Sequence, residues 1–295
     1  MKRWLGKAVE GFRRFANAEM PATPAGAGRP PKVGVALGGG FARGIAHLGV
    51  LRKLAEQNIP IDCIAGTSAG ALAGMAFASG LPFDRIVREA AAIRFGNFGQ
   101  WRFSRMGLAS NLRLEAYPRE HLGVSTFEDL KIPLSIVATD LISGEAVYFT
   151  KGSLGPPLRA SCAYPGLFQP VAYENHLLVD GFLAAGTPVE GVRAMGAEVV
   201  IAVFLEAESL ERPHHVVDVI GRSFSIVRLQ ADLGWRAKSD VVIVPHVREF
   251  AWDDFAKTSK LVAAGEEAAL AAIPQIAAKL RSFAGDPWPV EQSAK

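Results

Sequence analysis

IDCIAGTSAGALAGMAFAS, residues 61–79, is the stretch whose reading decides the fold. A strand-like run over 61–66, apolar apart from Asp62, meets a run of small helix-forming residues, and a serine between two glycines stands at the junction. Gly66-Thr67-Ser68-Ala69-Gly70 is the sequence of a nucleophile elbow, the sharp strand-to-helix turn that holds a catalytic serine in a strained, exposed pose. Gly66 and Gly70 permit close backbone approach and an unusual φ/ψ at the turn. A helix from Ala69 aims its N-terminus at the serine, placing N–H groups where an oxyanion would form. The reaction this pattern proposes is acyl transfer through a serine ester. The plain alternative is a Gly/Ser-rich turn between a strand and a helix.

Outward from the elbow the periodicities alternate. KVGVAL (32–37), PLSIVATDL (133–141), EAVYFT (145–150), HLLVD (176–180), EVVIAVFL (198–205) and DVVIVPH (240–246) read as strands. Helices are expected at about 43–58, 69–79, 84–93 and 216–234. A long alanine-rich helix over about 253–283 is expected to be divided by Gly265 and Pro274. Continuous apolar strands alternating with helices predict a three-layer α/β/α domain with a mostly parallel central sheet. Its limits are read as 32–284, after an amphipathic helix and Pro/Gly linker over 1–31 and before a loose tail over 285–295.

Composition narrows the classes of function. The chain has 295 residues, 49% of them hydrophobic, and a net charge of +3, too mild to argue for nucleic acid. Cys63 and Cys162 are expected to be reduced thiols, which points to a cytoplasmic setting. The first residues do not read as a signal peptide, because Lys7, Glu10, Arg13 and Arg14 interrupt any apolar region. No metal-ligand spacing, calcium loop or cofactor motif is visible, so no metal and no cofactor are expected.

Gly38-Gly39-Gly40-Phe41-Ala42-Arg43-Gly44 follows the first strand and opens the next helix. A dinucleotide loop needs glycine where Arg43 stands, and a P-loop needs Lys-Ser/Thr where Ile45-Ala46 follow Gly44. What remains is a run of open backbone N–H groups suited to a carbonyl oxygen becoming an alkoxide. Arg43 either adds charge there or anchors a backbone carbonyl. The base is open between two residues on this reading. His246 follows a late strand, where an ordinary triad has its histidine, and Asp180 ends the strand LLVD. Carboxyl ends of strands in a parallel sheet are where such sites gather. His47 reads as a packing or loop-bracing residue, and His214-His215 have no ligand partners at useful spacing.

LGGGFARGIAHLGVL, GTSAG, ASCAYPGLFQPV and LLVDGF, in that order, resemble the patatin-like phospholipase family, its bacterial single-domain branch most nearly. The resemblance runs from about Lys32 to at least Phe204. It implies a Ser–Asp dyad in which Ser68 is the nucleophile and Asp180 the general base and acid, with Gly66, Gly70 and Gly181 as motif glycines. It implies that Gly38, Gly39, Gly40 and Arg43 form the oxyanion hole, and it demotes His246. The implied activity is hydrolysis of lipid esters, of phospholipase A, lysophospholipase or carboxylesterase type. A transacylase using the same acyl-enzyme, or a non-catalytic lipid-binding regulator, are the alternatives. Phe182 departs from the small residue usual after Asp-Gly and makes the wall beside the base bulkier; Ala185-Gly186 stand where Asn is frequent.

Two segments carry surface chemistry. Residues 1–18 form a basic amphipathic pattern, with Trp4, Phe12 and Phe15 opposite Lys2, Arg3, Lys7, Arg13 and Arg14. Such a helix either makes peripheral membrane contact or docks on the protein body or another subunit. FGNFGQWRFSRMGL (95–108) interleaves aromatic residues with Arg102 and Arg105, as in a lid touching lipid or a loop packed on the core. The oligomeric state is not legible.

Overall fold

The structure, a computed structural model, describes residues 30–206, 212, 219–224, 226 and 233–284. The amphipathic pattern of 1–18, most of the linker, His214-His215 and the tail 285–295 lie outside the described residues, as does most of the helix expected over 216–234.

Alternation along fully buried strands sets the layers. In β1 (Val33–Leu37), Val33, Val35 and Leu37 join one apolar cluster while Ala36 joins the other. In β2 (Cys63–Thr67), Ile64 goes with the first cluster, Cys63 and Ala65 with the second. β9 (Val199–Val203) divides the same way, with Val199, Ile201 and Val203 against Val200 and Ala202. A sheet apolar on both faces must be covered on both, which gives three layers.

β10 (Val241–Ile243), β9, β1, β2 and β5 (Leu134–Asp140) run parallel in that order. Three antiparallel strands complete the sheet through β5: β6 (Ala146–Phe149) and β8 (His176–Asp180) pair with β5, and β7 (Val171–Tyr173) pairs with β8. The helices that matter here are α1 (Ala46–Glu56), α2 (Ala69–Ala78), α3 (Phe83–Ala92), α4 (Gly155–Ser161), α5 (Val189–Ala194) and α6 (Thr258–Ala284). α5 packs tightly on the small-residue face: a Cβ on Gly34 would stand 2.6 Å from that of Val192. A separate hairpin, β3 (Gln100–Ser104) with β4 (Gly107–Ser110), lies outside the main sheet.

The division expected in the C-terminal helix is absent. α6 is one helix of 27 residues with Pro274 inside it. Gly265 is a packing residue, since a Cβ there would collide with the Ala46 carbonyl, and one on Gly49 with that of Val262. The two glycines let α1 and α6 touch backbone to backbone. Pro274 is exposed, and the carbonyl it orphans four residues back belongs to exposed Leu270, so water can satisfy it. α6 is long and apolar enough to cross a bilayer by composition. Its Leu261, Ala269, Ile276 and Leu280 are nevertheless buried in the core cluster.

Candidate active site

Both glycines of the 66–70 turn have a steric reason, and the serine between them is strained. Ser68 takes φ 55° and ψ −119°, a conformation L-residues rarely adopt. A Cβ on Gly66 would lie 2.5 Å from the Ala71 backbone, and one on Gly70 would strike the Leu37 carbonyl. The strained amide of Ser68 is held by Ser161, a residue with no role in the sequence-based reading. It donates to Ser161 Oγ at 2.8 Å, and the Ser161 hydroxyl donates to the Val137 carbonyl at 2.6 Å. Ser161 is fully buried at the end of α4, so the turn is fastened to β5 through one hydroxyl. Its only sequence signal is its place in ASCAYPG, where a small polar residue interrupts an apolar stretch.

Strand register brings Asp180 to this turn. β6 occupies one edge of β5 over Ile136–Thr139. β2 and β8 therefore share the other edge, β2 as far as Thr67 opposite Val137 and β8 as far as Asp180 opposite Ala138. Running in opposite directions, they end head to head, and the residues that follow each end meet. Gly181 passes through this junction: a Cβ there would strike the Val137 carbonyl and lie 3.1 Å from Thr67 Cγ2. Asp180 is 2% exposed. Its Oδ1 accepts the Phe182 N–H at 3.0 Å, and its carbonyl accepts the Thr139 hydroxyl at 3.0 Å.

Cys162 completes the junction. The half-buried thiol follows α4, within hydrogen-bonding reach of the Ser68 hydroxyl and inside the field of Asp180. Burial first, and then the Asp180 charge, push the thiol well above its ordinary value against the Ser68 hydrogen bond. Cys162 therefore stays protonated and is no rival to the serine. Cys63 is buried in the strand before the turn, and burial pushes its thiol up to about 11. Both thiols are free, as expected.

The glycine loop divides its labour. Gly38 N–H donates to the Val203 carbonyl at 3.1 Å and Gly39 N–H to that of Gly186 at 3.2 Å. These amides hold the loop to β9 and to the turn after Asp180, and they are not open donors. The Gly40, Phe41 and Ala69 amides take no partner among the described residues. Gly39 remains the point of closest approach, its missing Cβ 3.6 Å from Ser68 Cβ. Of the two readings of Arg43, the structure takes the anchoring one. Its guanidinium is buried, Nε donates to the Phe250 carbonyl at 2.8 Å, and desolvation lowers its basicity against the pull of Asp254. Arg43 N–H is spent on the Gly40 carbonyl at 3.1 Å, so of the four positions expected to form the oxyanion hole, the amides of Gly38, Gly39 and Arg43 are engaged within the fold.

Four histidines are described. His47 is fully buried, with Nε2 2.7 Å from the Gly38 carbonyl, so Nε2–H is the donor and Nδ1 has no partner among the described residues. Burial lowers its pKa to about 4, keeping the ring neutral. His121 pairs with Glu89, His176 lies near Asp140, and His246 is exposed. Among the described residues no group of three or more His, Cys, Asp or Glu is set to hold a metal ion. Phe182 turns its ring onto Tyr164, centroids 5.1 Å apart, and so widens an aromatic wall beside the aspartate.

An elbow serine, an opposed buried aspartate on the next strand end and a glycine-rich loop define a nucleophile-elbow protein of the α/β/α class. The model of the patatin-like phospholipase family matches residues 35–193, and the chain belongs to that family. An uncharacterized NTE family protein of Mycobacterium tuberculosis is 36% identical over 178 residues, 59% of this chain and 49% of that protein. Patatin-like phospholipase domain-containing protein 7 of Rattus norvegicus is 33% identical over 187 residues, 58% of this chain and 13% of the relative. Lysophospholipase nte1 of Emericella nidulans is 31% identical over 206 residues, 66% of this chain and 13% of the relative. The chain spans about half the length of the mycobacterial relative and much less of the other two. VipD of Legionella pneumophila shares the fold, with a TM-score of 0.50 at 13% identity over 85% of this chain and 69% of that chain.

Proposed function

We propose that the chain is a serine hydrolase of lipid esters, of phospholipase A or lysophospholipase type, working through a Ser68–Asp180 dyad. Ser68 attacks the ester carbonyl while Asp180 takes its proton directly. Asp180 then returns the proton to the leaving alcohol, and water cleaves the acyl-enzyme. The head-to-head ending of β2 and β8 on one edge of β5 is the observation that carries this reading. Asp180 is buried, which keeps bulk water away from the proton transfer. The open amides of Gly40, Phe41 and Ala69 are the donors for the oxyanion.

A small, mostly apolar pocket of about 50 Å³ is lined by Phe41, Gly44 and Ala69 together with Leu72, Ala73 and Ala76 of α2, and on this reading it takes part of the acyl chain. Residues 32–284 are the catalytic unit on this reading, and the basic pattern of 1–18 is a peripheral membrane anchor. Mass spectrometry of products from mixed phospholipids tests the activity. Wild type should release free fatty acid and lysolipid, and Ser68→Ala should release neither. Acyl transfer to added lysolipid in place of free acid would make the protein a transacylase. Release that persists in Ser68→Ala would end the proposal.

A further inference from the structure

From Ala90 to Leu114 the chain holds no aspartate or glutamate and carries Arg94, Arg102, Arg105 and Arg113. This stretch includes the β3–β4 hairpin, which the dyad chemistry does not use. On it Trp101 is 64% exposed, Met106 at the turn 55% and Leu112 just beyond it 52%, with Arg102, Arg105 and Arg113 exposed among them. Large apolar side chains in water beside exposed arginines mark an interaction surface. Trp and Met suit the boundary between headgroups and acyl chains, while arginines suit anionic headgroups.

The hairpin is tied to the site. Leu108 and Ala109 N–H both donate to the Leu167 carbonyl, at 3.0 and 2.8 Å, and Gln169 N–H returns a bond to Ala109 at 3.1 Å. Leu167 N–H in turn donates to the carbonyl of Tyr164, whose ring stacks on Phe182 two residues after Asp180. At its base, Arg113 Nη1 donates to the Gly96 carbonyl at 2.5 Å. We propose that residues 94–113 dock the protein on an anionic phospholipid bilayer, with Trp101 and Met106 entering the interface and Arg102, Arg105 and Arg113 on the headgroups. A polynucleotide would also meet arginines and Trp101, but Met106 and Leu112 offer it no stacking platform, and these aliphatic residues favour lipid.

Co-sedimentation of the full chain with vesicles tests this without any turnover, so it stands or falls separately from the hydrolase reading. Wild type should bind vesicles of phosphatidylglycerol with phosphatidylcholine and bind pure phosphatidylcholine far less. Arg102→Gln with Arg105→Gln should lower the partition coefficient by about thirtyfold, the loss of two cations at roughly a kilocalorie each. Trp101→Ser with Met106→Ser should lower it severalfold on the same vesicles. Both variants should keep the wild-type melting temperature and wild-type hydrolysis of soluble p-nitrophenyl butyrate. Three results would overturn the proposal. One is wild type that does not sediment with anionic vesicles. Another is hairpin variants that bind like wild type, which would leave the surface contact to residues 1–18. The third is a loss confined to the arginine variant, which would make the patch a general polyanion site.

Discussion

The chain builds two strand–turn–helix corners side by side, 37–46 after β1 and 66–70 after β2, and both are rich in glycine. In the second, each glycine is forced by backbone a few ångströms away, and the one side chain left to protrude is Ser68. In the first, two amides are consumed by β9 and by the turn after Asp180, and the charged residue points to the far loop at Phe250. The elbow is a local device whose function is written in five residues. The glycine loop is a tertiary device, whose free donors are whatever its neighbours leave unused.

The comparison breaks most visibly at Ser68. Ser68→Ala should lower hydrolysis of p-nitrophenyl esters by about 10⁴-fold or more with the fold intact. A next-largest effect separates the corners by sterics. Gly70→Ala drives a methyl into the Leu37 carbonyl and should cost at least about 1–3 kcal/mol, read as a lower melting temperature or insoluble protein. Gly39→Ala meets Ser68 Cβ at an ordinary 3.6 Å, so it should melt like wild type and hydrolyse more slowly.

Buried polar groups give the middle of the range. His47 has its pKa depressed to about 4, below the ordinary 6.5 that it recovers on unfolding. Above pH 6.5 neither state binds the proton; between 6.5 and 4 only the unfolded state does. Its contribution is therefore lost as pH falls through that window, by up to roughly 3 kcal/mol. Urea denaturation at steps from pH 7 to 4 should show this slope in wild type and less of it in His47→Gln. Ser161→Ala deprives the Ser68 amide and the Val137 carbonyl of their partner, and should cost about 1–3 kcal/mol in the same assay. The smallest effect on rate is expected at Arg43. Arg43→Met should melt earlier yet leave kcat within about threefold, whereas loss of an oxyanion donor would cost about 10²–10³.

The elbow and the parallel strands were legible because they depend on short-range pattern, apolar runs and glycine spacing; Asp180 was legible as an acid at a strand end, but the residues alone left it beside His246 and only the family resemblance favoured it. The unbroken α6 was not, because Gly265 breaks helices in isolation and here serves a crossing with Gly49, more than two hundred residues earlier. Ser161 was not, because a serine carries no sign of which amide it will hold. Arg43 was legible only as a pair of alternatives, since its partner Phe250 joins it through tertiary packing alone. The commitment of the Gly38 and Gly39 amides to Val203 and Gly186 is of the same kind.

The direct test of the dyad is labelling of Ser68 by a fluorophosphonate, followed by intact-mass spectrometry in wild type and Asp180→Asn. The account predicts one adduct on wild type, none on Ser68→Ala, and labelling of Asp180→Asn slowed by orders of magnitude at an unchanged melting temperature. Labelling of Asp180→Asn at the wild-type rate would contradict it, because the serine would then be activated by some other base.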